Sequence, residues 1–260
     1  MTFFDRLRAL VTERDSRLCV GLDPDPERIP GGIAGAVDLC TEVVRATADR
    51  VCCFKPNSAF WEQYGPDGWR GLLAVREAIG PDIPVILDAK RADVGHTMDA
   101  YARTVFDVLG MDAVTVHAYH GADSLDRFTR YADRGVYVVC HTSNPGRTDL
   151  QHLSAPDEPL YLRVAALAER VNEHGNVGLV VGATAPDEAT TLRAVSSLPF
   201  LMPGVGRQGG DVAAAVLAAA TDDPASCVIS VSGAVLYEPD PRAAAQRWLD
   251  EIRACEPVTR

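Results

Sequence analysis

Four charged residues of alternating sign lie near the ends of two apolar segments. Asp88, Lys90 and Asp93 follow the run Pro84–Leu87, and Lys55 follows a second apolar run earlier in the chain. Side chains two residues apart in a strand point to the same side, so we expect Asp88 and Lys90 to share a face. Carboxylates and ammonium groups that are buried stay charged when they pair. The four side chains therefore predict either a structural ion-pair cluster or an electrostatic field that acts on a charged substrate.

A glycine-rich segment, PGVGRQGG from Pro203 to Gly210, is a second candidate ligand site. Backbone N–H groups that glycine leaves accessible can hold a phosphate, although any tight turn also needs glycine. The sequence contains no GxSxG, GxxxxGKS or HExxH pattern, and its six histidines do not group at ligand spacing. We therefore predict neither a serine nucleophile nor a metal site.

Eight short apolar runs alternate with amphipathic segments, as in a sheet that helices cover on both faces. The predicted strands are Arg17–Leu22, Val51–Pro56, Pro84–Lys90, Ala113–Val116, Gly135–Cys140, Val177–Gly182, Phe200–Pro203 and Cys227–Val231. The predicted helices include Ile33–Thr47, Gly71–Ile79, Thr97–Leu109, Leu160–His174, Asp211–Ala220 and Pro241–Ala254, with Asp211 and Asp240 as N-caps.

This alternation indicates an α/β fold, and eight βα units in about 250 residues are typical of a (β/α)8 TIM barrel. A doubly wound open sheet is the main alternative, but no GxGxxG motif follows the first predicted strand. We predict one barrel domain over residues 1–260. In such barrels the carboxyl ends of the strands carry the chemistry, which is where Lys55, Asp88 and Lys90 fall.

The composition limits the classes of partner. The chain has 25 Lys and Arg against 36 Asp and Glu, a formal charge of −11, which argues against a nucleic-acid or anionic-membrane surface. Seven cysteines include no CxxC pair, and no apolar run approaches the ~20 residues that span a bilayer. The first 22 residues carry regular charges and do not resemble a signal peptide, so we expect a cytoplasmic protein.

The segment DAKRADVGHT, residues 88–97, resembles the D-x-K-x-x-D-[IV]-G-x-T signature of the orotidine 5′-phosphate decarboxylase family. Other segments resemble the longer bacterial subfamily of these enzymes and occur in the same order from about residue 17 to residue 237. They are GLDP at 21–24, FKPN at 54–57 with Ala59-Phe60, TSNPG at 142–146, VGAT at 181–184, and PGVG at 203–206 with QGG at 208–210.

The resemblance implies a barrel enzyme that works as a homodimer, without cofactor or metal, and converts orotidine 5′-phosphate to uridine 5′-phosphate in pyrimidine biosynthesis. It assigns catalysis to Lys55, Asp88, Lys90 and Asp93. It assigns substrate binding to Asp23 at the ribose, Ser143 at the pyrimidine, and Pro203 and Gln208 at the base and phosphate. Asp93 and Thr97 are expected to enter the partner subunit's site.

The sequence departs from the family after the eighth predicted strand. Gly233 stands where the family carries an arginine that clamps the phosphate, in a stretch that here reads SVSGAV. A bidentate arginine–phosphate contact is a strong charge-assisted interaction, and glycine supplies none of it. Arg207, beside Gln208, is the cation that the sequence offers as a replacement.

Three other functions stay open at this stage. Gly233 also fits a related decarboxylase that acts on a modified or non-phosphorylated nucleoside. A nucleotide-binding homologue without activity is the second, although such a protein has no use for Asp88 beside a substrate carboxylate. The third is a metal-dependent sugar-phosphate decarboxylase, which shares D-x-K-x-x-D but usually has an acidic residue where Lys55 stands.

Overall fold

Eight parallel strands close into a barrel in a computed structural model that describes residues 1–154, 156–205 and 209–255. The strand order is β2-β1-β8-β7-β6-β5-β4-β3. The strands are β1 (Leu18–Gly21), β2 (Cys53–Lys55), β3 (Ile86–Arg91), β4 (Ala113–His117), β5 (Gly135–His141), β6 (Val177–Val181), β7 (Phe200–Pro203) and β8 (Cys227–Val231). Each prediction overlaps its strand, and β7 and β8 have the predicted bounds.

Two backbone hydrogen bonds join the first and last strands of this order. The Phe54 N–H donates to Pro84 O at 3.0 Å, and the Asp88 N–H donates to Pro56 O at 2.9 Å. These bonds bring the carboxyl end of β2 beside that of β3. The predicted TIM barrel is therefore confirmed, and the open-sheet alternative is wrong.

Helices surround the barrel. They are α1 (Phe3–Arg14), α2 (Gly32–Thr47), α3 (Ser58–Glu62), α4 (Pro66–Ile79), α5 (Gly95–Arg103), α6 (Ala122–Thr129), α7 (Leu160–Arg170), α8 (Pro186–Val195), α9 (Val212–Ala219), α10 (Gly233–Leu236) and α11 (Pro241–Ala254). The carboxylates of Asp211 and Asp240 accept from the N–H groups of Ala214 and Ala243, as N-caps should. Within the described residues, no helix has the length and apolar character that crossing a bilayer requires.

Two predicted helices end differently in the structure. The segment predicted as one helix over Thr97–Leu109 is α5 followed by a π-helical turn at Thr104–Val108. Helix α7 stops four residues before the predicted end at His174. The chain turns there because the Asn172 side chain accepts a hydrogen bond from the Val177 N–H at 2.9 Å.

Helix α1, which the sequence analysis did not single out, fills the amino-terminal end of the barrel. Phe3, Phe4 and Leu7 are buried in the same apolar cluster as Tyr137 of β5. The rings of Phe3 and Phe4 meet the Tyr137 ring edge to face at 6.0 and 5.6 Å. A Cβ atom on Gly135 would lie 2.4 Å from the Phe3 ring, so this strand start requires glycine.

Candidate active site

A cavity of about 490 Å³ opens at the carboxyl ends of the strands, a volume that suits a small-molecule ligand. Its floor is apolar, with Val139, Val180 and Leu201 from three neighbouring strands. Charged and polar groups form the wall. They include Asp23, Lys55, Asn57, Asp88, Lys90, His117, Ser143, Ser230 and Ser232.

Two ammonium groups bind opposite oxygens of the Asp88 carboxylate. Lys55 Nζ lies 3.0 Å from Oδ2, and Lys90 Nζ lies 2.6 Å from Oδ1. The Thr115 hydroxyl, from the middle of β4, also donates to Oδ1 at 2.8 Å. Lys55 and Asp88 are only 4% and 8% exposed, so each charge is retained by its partners rather than by water. The structure thus brings three of the four predicted catalytic residues together.

The chain contains only two lysines, and they are Lys55 and Lys90. All its other strongly basic side chains are arginines. An arginine stays protonated in proteins, whereas an ammonium group is compact and can give up a proton. The use of lysine at these two positions alone therefore points to a compact charge and a transferable proton inside the cavity.

The ion pairs keep Lys55 and Asp88 charged in spite of their burial. Burial by itself raises the pKa of the Asp88 carboxyl, but the Lys55 and Lys90 ammonium groups outweigh it and hold that pKa well below its usual range. Burial likewise lowers the pKa of Lys55, and the carboxylates of Asp88 and Asp23 outweigh it and raise that pKa. His117, which also lines the cavity, has a pKa lowered by burial and by the Lys90 charge.

Lys90 and Asp88 meet, but not by the geometry of a regular strand. The β3–β4 register shifts between Leu87 and Arg91, and Lys90 has a left-handed φ of 46°. The Lys90 N–H donates to Thr115 Oγ1 at 2.9 Å, which holds this turn in place. A non-glycine residue in a sparsely populated region costs about 1–3 kcal/mol, and such residues cluster at ligand-binding and active sites.

Asp23 is fixed at the adjacent wall by two donors. Its Oδ1 accepts from the Asn57 N–H at 2.9 Å, and its Oδ2 accepts from the Ser232 hydroxyl at 2.6 Å. A Cβ atom on Gly21 would lie 2.5 Å from Ser232 Cβ. The glycine that ends β1 therefore allows Ser232 to approach and orient the Asp23 carboxylate.

Ser143 and Pro203 line the cavity as the sequence predicts. The segment that carries Ser143 lies against the end of β6, where a Cβ atom on Gly182 would be 2.7 Å from Ser143 N. The Thr184 hydroxyl donates to Ser143 O at 3.1 Å. These contacts set the position of Ser143 over the cavity.

Asp93 lies two residues before α5 and Thr97 lies in its first turn, and neither lines the cavity of its own chain. Asp93 Oδ1 accepts from the Val94 N–H at 2.7 Å. In the described part of the chain, no ion pair joins Asp93 to Lys55 or Lys90. Val94 is 54% exposed, so this corner of the molecule faces outward.

The end of the cavity away from the lysines is lined by the segments around Gly204 and Gly233, where glycine leaves the backbone accessible. Arg207 and Gln208, predicted to act here, lie outside the described residues. Arg28, from the segment after β1, has its guanidinium 3.6 Å from the centre of the Tyr237 ring. A Cβ atom on Gly233 would lie 4.0 Å from Arg28 Nη1. A cation therefore occupies the neighbourhood that a side chain at position 233 would enter.

Comparisons with known proteins decide the family. The family described as orotidine 5′-phosphate decarboxylase / HUMPS matches residues 16–248. Proteins named orotidine 5′-phosphate decarboxylase from Thermomicrobium roseum and Roseiflexus castenholzii are both 46% identical to this chain. The matches cover 97% and 98% of this chain, and 95% and 98% of those proteins. The chain belongs to this family.

A comparison with solved structures supports the same family assignment. The structure of Leishmania donovani OMP decarboxylase superposes with a TM-score of 0.91 at 42% identity, and the match covers 98% of this chain and 99% of that one. The resemblance inferred from the sequence motifs is thereby confirmed.

Sequence reasoning missed Thr115, Tyr237 and Arg28 in this member of the orotidine 5′-phosphate decarboxylase family. Thr115 carried a signal, since it is the polar residue within the apolar run Ala113–Val116. Arg28 carried none, because it is one of many arginines and only the fold brings it to Gly233. Tyr237 is fixed by the same segment, as its hydroxyl donates to Asp23 O and accepts from the Asp25 N–H.

Proposed function

We propose that this protein is a carboxy-lyase that converts orotidine 5′-phosphate to uridine 5′-phosphate without a cofactor, a step of pyrimidine biosynthesis. The observation that carries the proposal is the buried Asp88 carboxylate held between the two lysines of the chain. Membership of the orotidine 5′-phosphate decarboxylase / HUMPS family supports it. The catalytic residues are Lys55, Asp88 and Lys90, with Asp93 from a second subunit.

Asp88 acts by electrostatic repulsion of the substrate carboxylate. Two unit charges of the same sign ~4 Å apart repel by about 4 kcal/mol at an effective dielectric constant near 20. Breaking the bond from C6 to the carboxylate leaves the electron pair on C6 and releases neutral CO2. The repulsion is present in the bound substrate and disappears as CO2 forms, so it lowers the barrier to decarboxylation.

Lys90 stabilises the negative charge on C6 and then transfers an ammonium proton to that carbon. The neutral amine regains a proton from water before the next turnover. Lys55 Nζ lies 3.0 Å from the other oxygen of Asp88, Oδ2, and its positive charge keeps this carboxylate ionised. Asp23 and Ser143, which both line the cavity, bind the ribose and the pyrimidine.

Arg28 takes over part of the phosphate binding that the family assigns to an arginine at position 233. Its guanidinium is already stacked on Tyr237 beside Gly233, so little side-chain entropy is lost when an anion binds. Gln208 and Arg207 are proposed to complete this end, together with backbone N–H groups near Gly204. The energy of phosphate binding offsets the repulsion at Asp88, since remote contacts can stabilise a strained reacting centre.

The decisive experiment is the incubation of purified protein with orotidine 5′-phosphate and with orotidine, each with and without EDTA. We expect uridine 5′-phosphate and CO2 from the phosphorylated substrate, and the protein treated with the chelator should still form both. Equal turnover of orotidine would instead support the nucleoside decarboxylase that Gly233 also fits. Binding without product would support the inactive nucleotide-binding homologue.

We also propose that the protein is a cytoplasmic homodimer in which Asp93 and Thr97 enter the partner's cavity. The outward position of the residues that begin α5, including the exposed Val94, supports this arrangement. The seven cysteines all lie in the described residues and form no disulfide, and six of them are buried, which suits a reducing compartment.

A further inference from the structure

Two histidines and a glutamate from three different segments meet outside the barrel. His141 ends β5, His152 lies in the turn before α7, and Glu188 is in the first turn of α8. The two Nε2 atoms of His141 and His152 are 3.1 Å apart, and His152 Nε2 is 3.6 Å from Glu188 Oε1. One ligand atom from each residue lies within 4.8 Å of the others. Among the described residues, these three form the one such group of possible metal ligands.

We propose that His141, His152 and Glu188 bind a divalent transition-metal ion of the zinc class. Imidazole nitrogen together with one carboxylate oxygen is a donor set that Zn²⁺ favours over Mg²⁺ or Ca²⁺, which prefer oxygen alone. Ligand atoms at about 2.1 Å from a tetrahedral ion are roughly 3.4 Å apart. The two measured separations of 3.1 and 3.6 Å lie on either side of that value.

The burial of the three side chains fits an ion held at the edge of the fold. His141 is fully buried, whereas the side chains of His152 and Glu188 are 34% and 23% exposed. The ion therefore has a rigid ligand on the inner side and a path from solvent on the outer side. Three protein ligands leave a fourth tetrahedral position for water.

The contacts around His152 hold it near His141. The neighbouring Gln151 accepts from the Thr142 N–H at 2.9 Å and donates to the Thr142 hydroxyl at 2.8 Å. The Tyr161 N–H donates to Gln151 O at 3.1 Å, and the Tyr161 ring packs against both imidazoles. A ligand that is positioned in advance costs less entropy when the metal binds.

The proposed ion lies apart from the reaction centre but fixes a segment that reaches it. Of the three ligands, none is among the described residues that line the cavity, whereas Thr142 and Ser143 follow His141 directly and do line it. Binding would join the turn at His152 to β5 and to α8. We therefore assign the ion a structural role, in which it holds the segment from Thr142 to His152.

The test uses full-length protein without an affinity tag, stripped with EDTA, loaded with Zn²⁺ and dialysed against metal-free buffer. We expect the parent protein to retain about one equivalent of zinc by elemental mass spectrometry and to gain thermal stability from it. His152→Ala and Glu188→Gln should each weaken zinc binding by at least about tenfold, in line with losses seen when metal sites are disturbed. His174→Ala is the matched control, because His174 is exposed and belongs to another turn.

Cobalt provides a second readout that does not depend on enzymatic activity. Co²⁺ bound to the parent and to His174→Ala should give the intense visible absorption of a tetrahedral site, and both ligand variants should lack it. Equal zinc retention by all four proteins, or none by the parent, would overturn the proposal in favour of a direct hydrogen bond between the two imidazoles. Circular dichroism confirms folding, and Glu188→Gln keeps the test decisive if His152→Ala does not fold.

Discussion

The Lys90 ammonium lies 2.6 Å from Asp88 Oδ1 while the Lys90 backbone holds a left-handed φ of 46°. A regular strand would also place these two side chains on one face, but here the register of β3 against β4 shifts between Leu87 and Arg91, around Lys90. The 42% exposed Lys90 side chain thus reaches back over a nearly buried carboxylate from the solvent side. This geometry places the ammonium group that we propose as the proton donor above the carboxylate that we propose repels the substrate.

Lys90→Ala should lower kcat by at least about 10⁴-fold, because it removes both the proton donor and the stabilising charge. The fold should persist, since the Lys90 side chain is 42% exposed and Asp88 keeps Lys55 as a partner. Turnover of orotidine 5′-phosphate and circular dichroism together check this expectation. Arg70→Ala is the control, because Arg70 pairs with Asp67 on the exposed face of α4. A kcat within tenfold of the parent value would rule out Lys90 as the proton donor.

Asp88→Asn should impair both activity and stability. Loss of a repulsion of about 4 kcal/mol corresponds to roughly 10³-fold in kcat. The free energy of unfolding should fall by about 3 kcal/mol, because the buried Lys55 loses its principal counter-charge. Urea unfolding and steady-state kinetics measure the two effects. Asp82→Asn, in the exposed turn before β3, should change neither, and a normal kcat in Asp88→Asn would contradict the repulsion mechanism.

The pKa of Lys55 can be measured by NMR, because a protein with two lysines gives two lysine side-chain signals. We expect the Lys55 signal to titrate above the ordinary value of about 10.4. The stability that the Lys55 charge contributes is then fully present below the unfolded-state pKa of about 10.4. It is lost as the pH rises through the higher pKa that Lys55 has in the folded protein. In Asp88→Asn the pKa of Lys55 should fall, since the largest charge that opposes burial is lost and only the smaller effects of Asp23 and Cys19 remain. A Lys55 pKa that is the same in both proteins would contradict the ion-pair account.

The barrel and the part of its site at the strand ends could be predicted, because the alternation of apolar runs with amphipathic segments in the sequence marks where each strand lies and ends. Lys55 and Asp88 each follow an apolar run, and parallel strands bring such positions to one rim. Helix α1 was missed because its burial depends on Gly135 and Tyr137, more than a hundred residues later in the chain. The left-handed turn at Lys90 was missed because no glycine marks it.

Arg28, which we propose contacts the phosphate, could not be predicted from the sequence pattern. Its proposed role depends on Gly233, which lacks a side chain, and on Tyr237, whose ring lies 3.6 Å from the guanidinium. All three come together only after β1 and β8 pair. Asp93 is a different case, because its proposed target is in a second chain.

Arg28→Ala should raise KM for orotidine 5′-phosphate by roughly 10- to 100-fold, the equivalent of one charged hydrogen-bond interaction. Turnover of orotidine, which has no phosphate, should be unchanged. Gly233→Arg should restore much of the loss in the double variant, because the Cβ atom of a residue at position 233 would lie 3.6 Å from the Tyr237 ring, an ordinary contact. Steady-state kinetics on both substrates check this. Equal losses on orotidine and its phosphate would show that Arg28 is only structural.

Mixed dimers test whether Asp93 acts in the partner's site. Asp93→Asn and Lys90→Ala homodimers should each be nearly inactive, because every cavity lacks one catalytic charge. In a mixed dimer, the cavity with an intact Lys90 receives its Asp93 from the Lys90→Ala chain, so one of the two sites is complete. Mixing the two inactive variants should therefore restore activity, up to about one quarter of the parent value after random exchange of subunits.

The control for this experiment mixes Lys90→Ala with Asp88→Asn, since both residues lie in one cavity of one chain, 2.6 Å apart. No mixed dimer of that pair contains a complete site, so activity should stay at the level of the separate variants. If the pair with Asp93→Asn also shows no recovery while subunit exchange is verified by mass spectrometry, Asp93 acts within its own chain. The exposed start of α5 would then have to move to bring that carboxylate to Lys90, because Asp93 and Lys90 form no ion pair in the described structure.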